Sequence, residues 1–291
     1  MATAITTPAS NWRRQQRARR KAIRVFAYVV TTLMAIAFAF PFLWLVSASL
    51  KSANELARFP PTFIPHPIMW ENYTQALRSQ PFDHYFANTI AFSVGAMVGH
   101  LFSATLVAYG FSRIEFPGRD AIFVLVLSTV MLPAQVTMIP QYILFRELGW
   151  LDTLLPLVVP TYFGGAFYIF LLRQFFMTIP RELDEAALMD GANRFDIYWR
   201  IILPLSRPIL VTVIAFVFIG TWNDFMGPLI YLSTRERMTV ALGLLQFRGE
   251  GAIMNLLMAA SVVALAPIVV VFFFAQRYFI AGITLTGMKE G

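Results

Sequence analysis

Six long apolar runs, a charge content about half that of a soluble domain, and a basic bias between alternate connections predict an all-α integral membrane protein. The chain has 291 residues, 58% hydrophobic, 15% aromatic and 13% charged, whereas a soluble domain carries about 25% charged residues. Residues 25–50, 84–112, 121–145, 153–172 and 251–276 contain no Asp, Glu, Lys or Arg, and 208–234 contains one, Asp224. About 20 helical residues cross the hydrocarbon, and in lipid a helix satisfies its own backbone polar groups. Six transmembrane helices follow.

Their orientation follows from the basic residues. With the N-terminus inside, segments 1–24, 113–120, 173–207 and 277–291 are cytoplasmic and hold 16 Lys and Arg, against seven in the outside connections. The positive-inside rule selects N-in/C-in. A basic start, an apolar run and "SAS" at Ser47–Ser49 also fit a cleavable leader. The run is nearly twice the length of a leader's apolar core, however, so it reads as the first span. Residues 1–24 are then a basic cytoplasmic segment, and 25–291 form one transmembrane domain with a cytoplasmic segment at 178–207.

Each element has its own signals. The first span contains Pro41, a kink site; the outside stretch 51–84 includes "FPPTFIPHP", too proline-rich for a regular helix at its centre. The second span carries Gly95, Gly99 and Ser103, a small-residue stripe suited to close helix packing. "RIEFPGRD" is a short inside turn, and Pro133 and Pro140 make the outer end of the third span irregular. The fourth contains Gly164 and Gly165.

Little here suits catalysis. With no Cys there is no thiolate chemistry, and no lysine follows a glycine, so there is no phosphate-binding loop. His66, His84 and His100 lack metal-ligand spacing. A G-x-S-x-G elbow is absent, and no ionisable pair lies at helix depth. Seven of the 23 basic residues fall in the first 24 positions, directly before an apolar run. That placement suits lipid headgroups rather than nucleic acid. No metal, no cofactor bound by this chain and no nucleic-acid partner are expected.

The cytoplasmic stretch "EAALMDGANRFDIYWRIILPLSRP" from Glu185 interrupts the apolar chain with charge. Pro180 can open a helix, and Glu182, Asp184 and Glu185 suit its positive end. Ala186 and Ala187 leave a smooth surface, Gly191 turns the chain, and a second amphipathic piece leads to Pro204. A short helix held along the membrane, shaped to be gripped, is the reading. Glu185-Ala186-Ala187, Gly191 and Ile201-Ile202-Leu203-Pro204, spaced E-A-A-x3-G-x9-I-x-L-P, resemble the cytoplasmic motif of ABC importer permeases. "YGFSRIEFPGRD", "TWNDF" and "QRYFIAGITLTGMKEG" are similar to the maltose-type carbohydrate permeases along nearly the whole chain.

The resemblance implies a non-catalytic subunit in the bacterial inner membrane, importing a sugar or oligosaccharide by alternating access. Partners would be a second homologous permease, two copies of an ABC ATPase that uses ATP and Mg, and an extracytoplasmic solute-binding protein. It makes Glu185, Ala186, Ala187, Gly191, Leu203 and Pro204 the ATPase-coupling residues. It also makes the loop with Gln246, Phe247, Arg248 and Glu250 one that reaches the binding protein's cleft.

Asp224 lies near mid-span, where facing lipid costs at least about 2.5–3.5 kcal/mol. With Trp222 and Asn223 it suits either a sugar path or a polar helix-packing cluster; His100 and Gln135 are weaker candidates of the same kind. Two other cargo or energy schemes remain: import of glycerol-3-phosphate or a glycerophosphodiester, and an ion-coupled secondary transporter using Asp224.

Overall fold

The computed structural model describes residues 8–248 and 253–287, with side chains over 19–247 and 253–277. These residues form helices and turns, with no strand among them. In chain order the α-helices are α1 (Pro8–Ser49), α2 (Ala53–Leu56), α3 (Glu71–Ser79), α4 (Phe82–Arg113), α5 (Arg119–Ser128), α6 (Ala134–Glu147), α7 (Leu155–Val158) and α8 (Ala166–Phe176). They continue with α9 (Glu182–Met189), α10 (Arg194–Ile197), α11 (Leu203–Leu205), α12 (Arg207–Trp222), α13 (Met226–Tyr231), α14 (Val240–Gly243) and α15 (Met254–Gly287).

Four helical stretches are long and apolar enough to cross a bilayer: Arg19–Ser49, Phe82–Arg113, Leu155–Phe176 and Met254–Arg277. Two bent pairs raise the number to six if each is one span. All six apolar runs therefore appear as helix, but two are not straight rods. In the third, the chain turns by 91° between Arg119–Met131 and Ala134–Glu147. Leu132 is extended (φ −77°, ψ 117°) because a residue before proline is driven from helical geometry, and Pro133 supplies no N–H to continue the ladder. The second bent pair, Arg194–Leu205 with Arg207–Trp222, turns by 76° just before the fifth run, and within that run α12 ends at Trp222 and the helix restarts as α13. The expected basic segment and first span are continuous, since α1 runs unbroken from Pro8 through both.

Helix α4 is the central post. It packs against α7, α8, α12, α14 and the 3-10 turn Val159–Phe163. The small-residue stripe makes this approach possible. A Cβ on Gly95 would stand 2.8 Å from Val158 Cγ1, and one on Gly99 would collide with the Thr161 hydroxyl. Ser103 completes the stripe by donating to the Thr161 carbonyl at 3.0 Å. Around α4 lies the main core, including Phe92, Ala96, Ala104, Leu172, Phe176 and Val213. A second cluster of Phe82, Tyr85, Val240, Phe247 and Leu256 fills the opposite end of the bundle from Arg113.

Helix α1 stands apart along most of its length. Its apolar stretch is exposed until Ser47–Ser49, with Phe26 and Phe38 each 70% exposed, as suits lipid or a partner helix. Its end is tied down by polar groups. Asn72 Nδ2 donates to the carbonyls of Ser49 and Lys51, both at 2.8 Å, and Asn255 Nδ2 donates to Asn72 Oδ1 at 3.0 Å.

Candidate functional site

Segment 180–207 folds as two short helical arms. Helix α9 carries Glu182, Asp184 and Glu185 in its first turn, where the helix dipole favours negative charge. It ends at Gly191, whose φ of 82° places it in the left-handed region that glycine adopts without a Cβ clash. The Ala192 N–H then returns to the Ala187 carbonyl at 2.9 Å and the Gly191 N–H to Leu188 at 3.1 Å, satisfying carbonyls that the helix end leaves free. Asn193 opens α10 with a capping box. Its Oδ1 accepts the N–H groups of Phe195 and Asp196, each at 2.9 Å, and Asp196 Oδ2 accepts the Asn193 N–H at 3.3 Å. The π-helical turn Tyr198–Ile202 leads to α11, and the arm meets α12 at a 76° bend beside Ser206 and Pro208.

Among the expected coupling residues, Glu185, Ala186, Gly191 and Pro204 are exposed, while Ala187 and Leu203 are half-buried against the core. The charges of this stretch divide into two kinds. Asp196 belongs to the cap and pairs with Arg200 at 3.4 Å. Asp184 points inward, 6% exposed, and pairs at 3.3 Å with Arg113 of α4, whose side chain is 2% exposed. Outside, beside Glu185 and Gly191, stand apolar side chains that the sequence reading missed: Met189, 89% exposed, and the stacked pair Phe195 and Trp199. Their signal is weak in sequence, because an aromatic in an amphipathic piece reads equally as core.

The candidate path residues separate. Trp222 is 4% exposed, packs between Phe86 and Phe218, and donates its indole N–H to the Ala264 carbonyl at 3.0 Å. No free aromatic face is left for a sugar, because Phe86 of α4 and Phe218 of α12 take the ring and α15 takes its N–H. Asn223 is exposed, with its amide on the Ile219 carbonyl at 2.8 Å. Asp224 is half-buried and accepts the Gly227 N–H at 3.1 Å, so it caps the restart of the helix at α13. A carboxylate is thus tolerated at this depth by a break that presents free N–H groups. The His100 ring lies 4.6 Å from the ring of Tyr168, tilted by 55°, beside Gly165 of the α8 entry. Gln135 is exposed on α6.

In the 233–253 connection, Gln246 is exposed but Phe247 is 7% exposed, 5.9 Å from Phe82. Phe247 is an anchor of the second cluster rather than a reaching side chain, since burial is the favourable use of its ring. The Arg248 side chain and Glu250 lie outside the described residues. A neighbouring latch holds this connection to the 148–154 turn. Asp152 Oδ1 accepts the N–H groups of Ser233 and Thr234, each at 2.9 Å, and Oδ2 accepts the Thr234 hydroxyl at 2.5 Å. Arg237 lies 3.7 Å from the same carboxylate. Burial alone would raise the Asp152 carboxyl, but the Thr234 and Ser233 hydrogen bonds with Arg237 outweigh it and hold the carboxyl at about 2. No group of His, Asp and Glu among the described residues has metal-site geometry.

Residues 100–285 match the family described as the binding-protein-dependent transport system inner membrane component. The chain belongs to this family. It is 32% identical over 261 residues to the arabinooligosaccharides transport system permease protein AraQ of Bacillus subtilis, covering 88% of this chain and 92% of that one. It is also 32% identical over 274 residues to the sn-glycerol-3-phosphate transport system permease protein UgpE of Yersinia pestis, covering 91% and 97%. Among solved structures, a chain of a bacterial ABC transporter that imports the acidic polysaccharide alginate superposes with a TM-score of 0.77 at 25% identity, covering 89% of this chain and 97% of that chain. The protein is thus an inner-membrane permease of the ABC importer class, a transport component rather than a catalyst.

Proposed function

We propose that this permease carries a sugar or oligosaccharide inward, with six spans, both termini cytoplasmic, and ATP and Mg used by two separate ATPase subunits. The observation that carries the reading is the build of segment 180–207. Glu185, Ala186 and Gly191 stand outward beside the uncovered Met189, Phe195 and Trp199, while Asp184, Ala187 and Leu203 face the bundle. A smooth helix with a few large apolar anchors is the surface that a groove on another protein grips. The ATPase is that partner, a second homologous permease completes the path, and an extracytoplasmic binding protein delivers the solute to the opposite end. There Gln246, Arg248 and Glu250 belong to the receptor-facing loop, with Phe247 as its anchor. Asn223 and Asp224 line the path at the α12–α13 break, and Trp222 supports them from behind.

The similarity to a glycerol-3-phosphate permease, at the same 32% identity as the arabinooligosaccharide one, supports a second cargo class for the same machine. One set of vesicle measurements separates the energy schemes and the cargo classes. Uptake of labelled oligosaccharide and of labelled glycerol-3-phosphate is measured with and without ATP, binding protein and an imposed proton gradient, for the wild type and Asp224→Asn. The expected result is oligosaccharide uptake that requires ATP and binding protein. In Asp224→Asn, uptake falls several-fold while receptor-stimulated ATP hydrolysis persists. Uptake that ignores ATP, follows the gradient and vanishes in Asp224→Asn would identify a secondary carrier.

A further inference from the structure

Helix α4 makes polar contacts at both ends, and each set reaches a different segment of the chain. Thr105, Tyr109 and Arg113 are four residues apart, hence on one face. They are 3%, 6% and 6% exposed, and all three engage segment 180–207. Thr105 Oγ1 lies 2.7 Å from the Tyr198 hydroxyl, and the Tyr109 hydroxyl donates to the Arg194 carbonyl at 2.9 Å. Arg113 Nη1 faces Asp184 at 3.3 Å, and its Nη2 donates to the carbonyls of Phe176 and Ile179, each at 2.7 Å. One arginine therefore holds the end of α8 and the start of α9 together, while Tyr109 and Thr105 hold the second arm. Near the Phe82 end, Asn88 Nδ2 donates to the carbonyls of Glu236 and Met238 at 2.8 and 3.0 Å, and Thr89 Oγ1 accepts the Val240 N–H at 2.9 Å.

Between these ends α4 is stiff. It runs for 32 residues without an internal proline, whereas α1, α6 and α15 contain Pro41, Pro140 and Pro267. Its length is about 48 Å, enough to span the bilayer. The covalent neighbours of segment 180–207 are poorer levers. It meets α8 through the 177–181 turn and α12 through a 76° bend at Ser206. In the Arg113–Asp184 pair, Arg113 Nε and Asp184 Oδ1 are buried without a hydrogen-bond partner. A pair left incomplete in this way adds little static stability, because its desolvation is not fully compensated.

We propose that Thr105, Tyr109 and Arg113 are positioning residues that make segment 180–207 and α4 move as one body, so that a displacement at the coupling helix reaches segment 236–240 directly. The inference rests on the reading of Glu185–Gly191 as the ATPase-docking surface.

The test uses the full complex with partner permease, ATPases and binding protein in vesicles. Arg113→Gln combined with Asp184→Asn removes both buried charges together, so no unpaired charge is left, and Tyr109→Phe removes a single hydroxyl. A spin label on Glu236→Cys, an exposed position in a chain without cysteine, reports the far end. In the double variant, solute imported per ATP hydrolysed should fall about five- to a hundredfold, the range of ordinary coupling free energies. The ATP-dependent change in the label's signal should disappear with it. Tyr109→Phe should shift both in the same direction by a smaller factor, and it remains decisive if the double variant assembles poorly. Unchanged uptake per ATP and an unchanged label response in assembled Tyr109→Phe and double-variant complexes would overturn the clamp. Wild-type uptake that needs neither ATP nor binding protein would instead overturn the functional reading beneath it.

Discussion

Gly191 holds φ 82° with open space where a side chain would project, so a substitution there is disfavoured by backbone geometry rather than by crowding. Gly191→Ala should cost about 1–2 kcal/mol in the local turn, and Gly191→Asp adds a charge on the outward surface beside Ala186. The expected outcome for Gly191→Asp is a protein that inserts and assembles in normal amount but loses at least about nine-tenths of its uptake. Uptake and ATPase co-purification are measured together; normal uptake with normal co-purification would remove Gly191 from the coupling surface. Asp184, one position before Glu185, contrasts with it. Sequence places both in the first turn of a helix, where either suits the dipole. Only the approach of Arg113, 71 positions away, distinguishes the buried carboxylate from the exposed one.

Turns and breaks between elements carry as much of the design as the helices. Pro133 announces an interruption in sequence, the chain turns there by 91°, and beyond it Tyr142 and Phe145 of α6 meet the ring of Tyr231. Asp152 shows how two connections are held in register. Its N–H donates to the Tyr231 carbonyl at 2.7 Å, and it adopts a left-handed φ of 59° while its carboxylate caps Ser233 and Thr234. The folded-state carboxyl is depressed to about 2, below the unfolded value of about 3.9. A depressed acid contributes stability that is fully present above the unfolded value and is lost as pH falls through the folded one. The wild type should therefore melt about 2–4 °C above Asp152→Asn, with the gap constant from pH 8 to about 4 and closing as pH falls toward 2. Thermal unfolding in detergent across that range checks it. A gap that opened or closed near pH 6 would assign the stabilisation to some other group.

At the scale of the whole molecule, the absence of cysteine turns topology into a labelling experiment. Phe59 and Met189 are 92% and 89% exposed and lie in connections that the basic-residue bias puts on opposite sides. In right-side-out membranes, a membrane-impermeant maleimide should label Phe59→Cys at once and Met189→Cys only after permeabilisation. The reverse pattern would invert the topology and remove segment 180–207 from the ATPase side. The bare apolar stretch of α1 bears on assembly in the same way. A helix exposed along most of its length stands against lipid or a partner helix, and its contact with α15 leaves that surface open.

Class and coarse architecture were legible in the sequence because they depend on local quantities. Runs without charge mark the long apolar helices, Gly95, Gly99 and Ser103 mark a close helix contact, and the charges from Glu185 to Pro204 mark a short helical segment, the proposed coupling segment. Those signals act within one helix or one turn, so no knowledge of distant residues is needed. Tertiary structure decided which side chain of each motif faces which neighbour. It turned Asp184 inward onto Arg113, buried the ring of Trp222 against Phe86 and Phe218, and made Phe247 a core residue beside Phe82. It also set the size of the 91° turn that Pro133 signals and broke the fifth apolar run between Trp222 and Met226. The physical reason is that burial and pairing depend on groups far apart in the chain, which composition and spacing do not bring together.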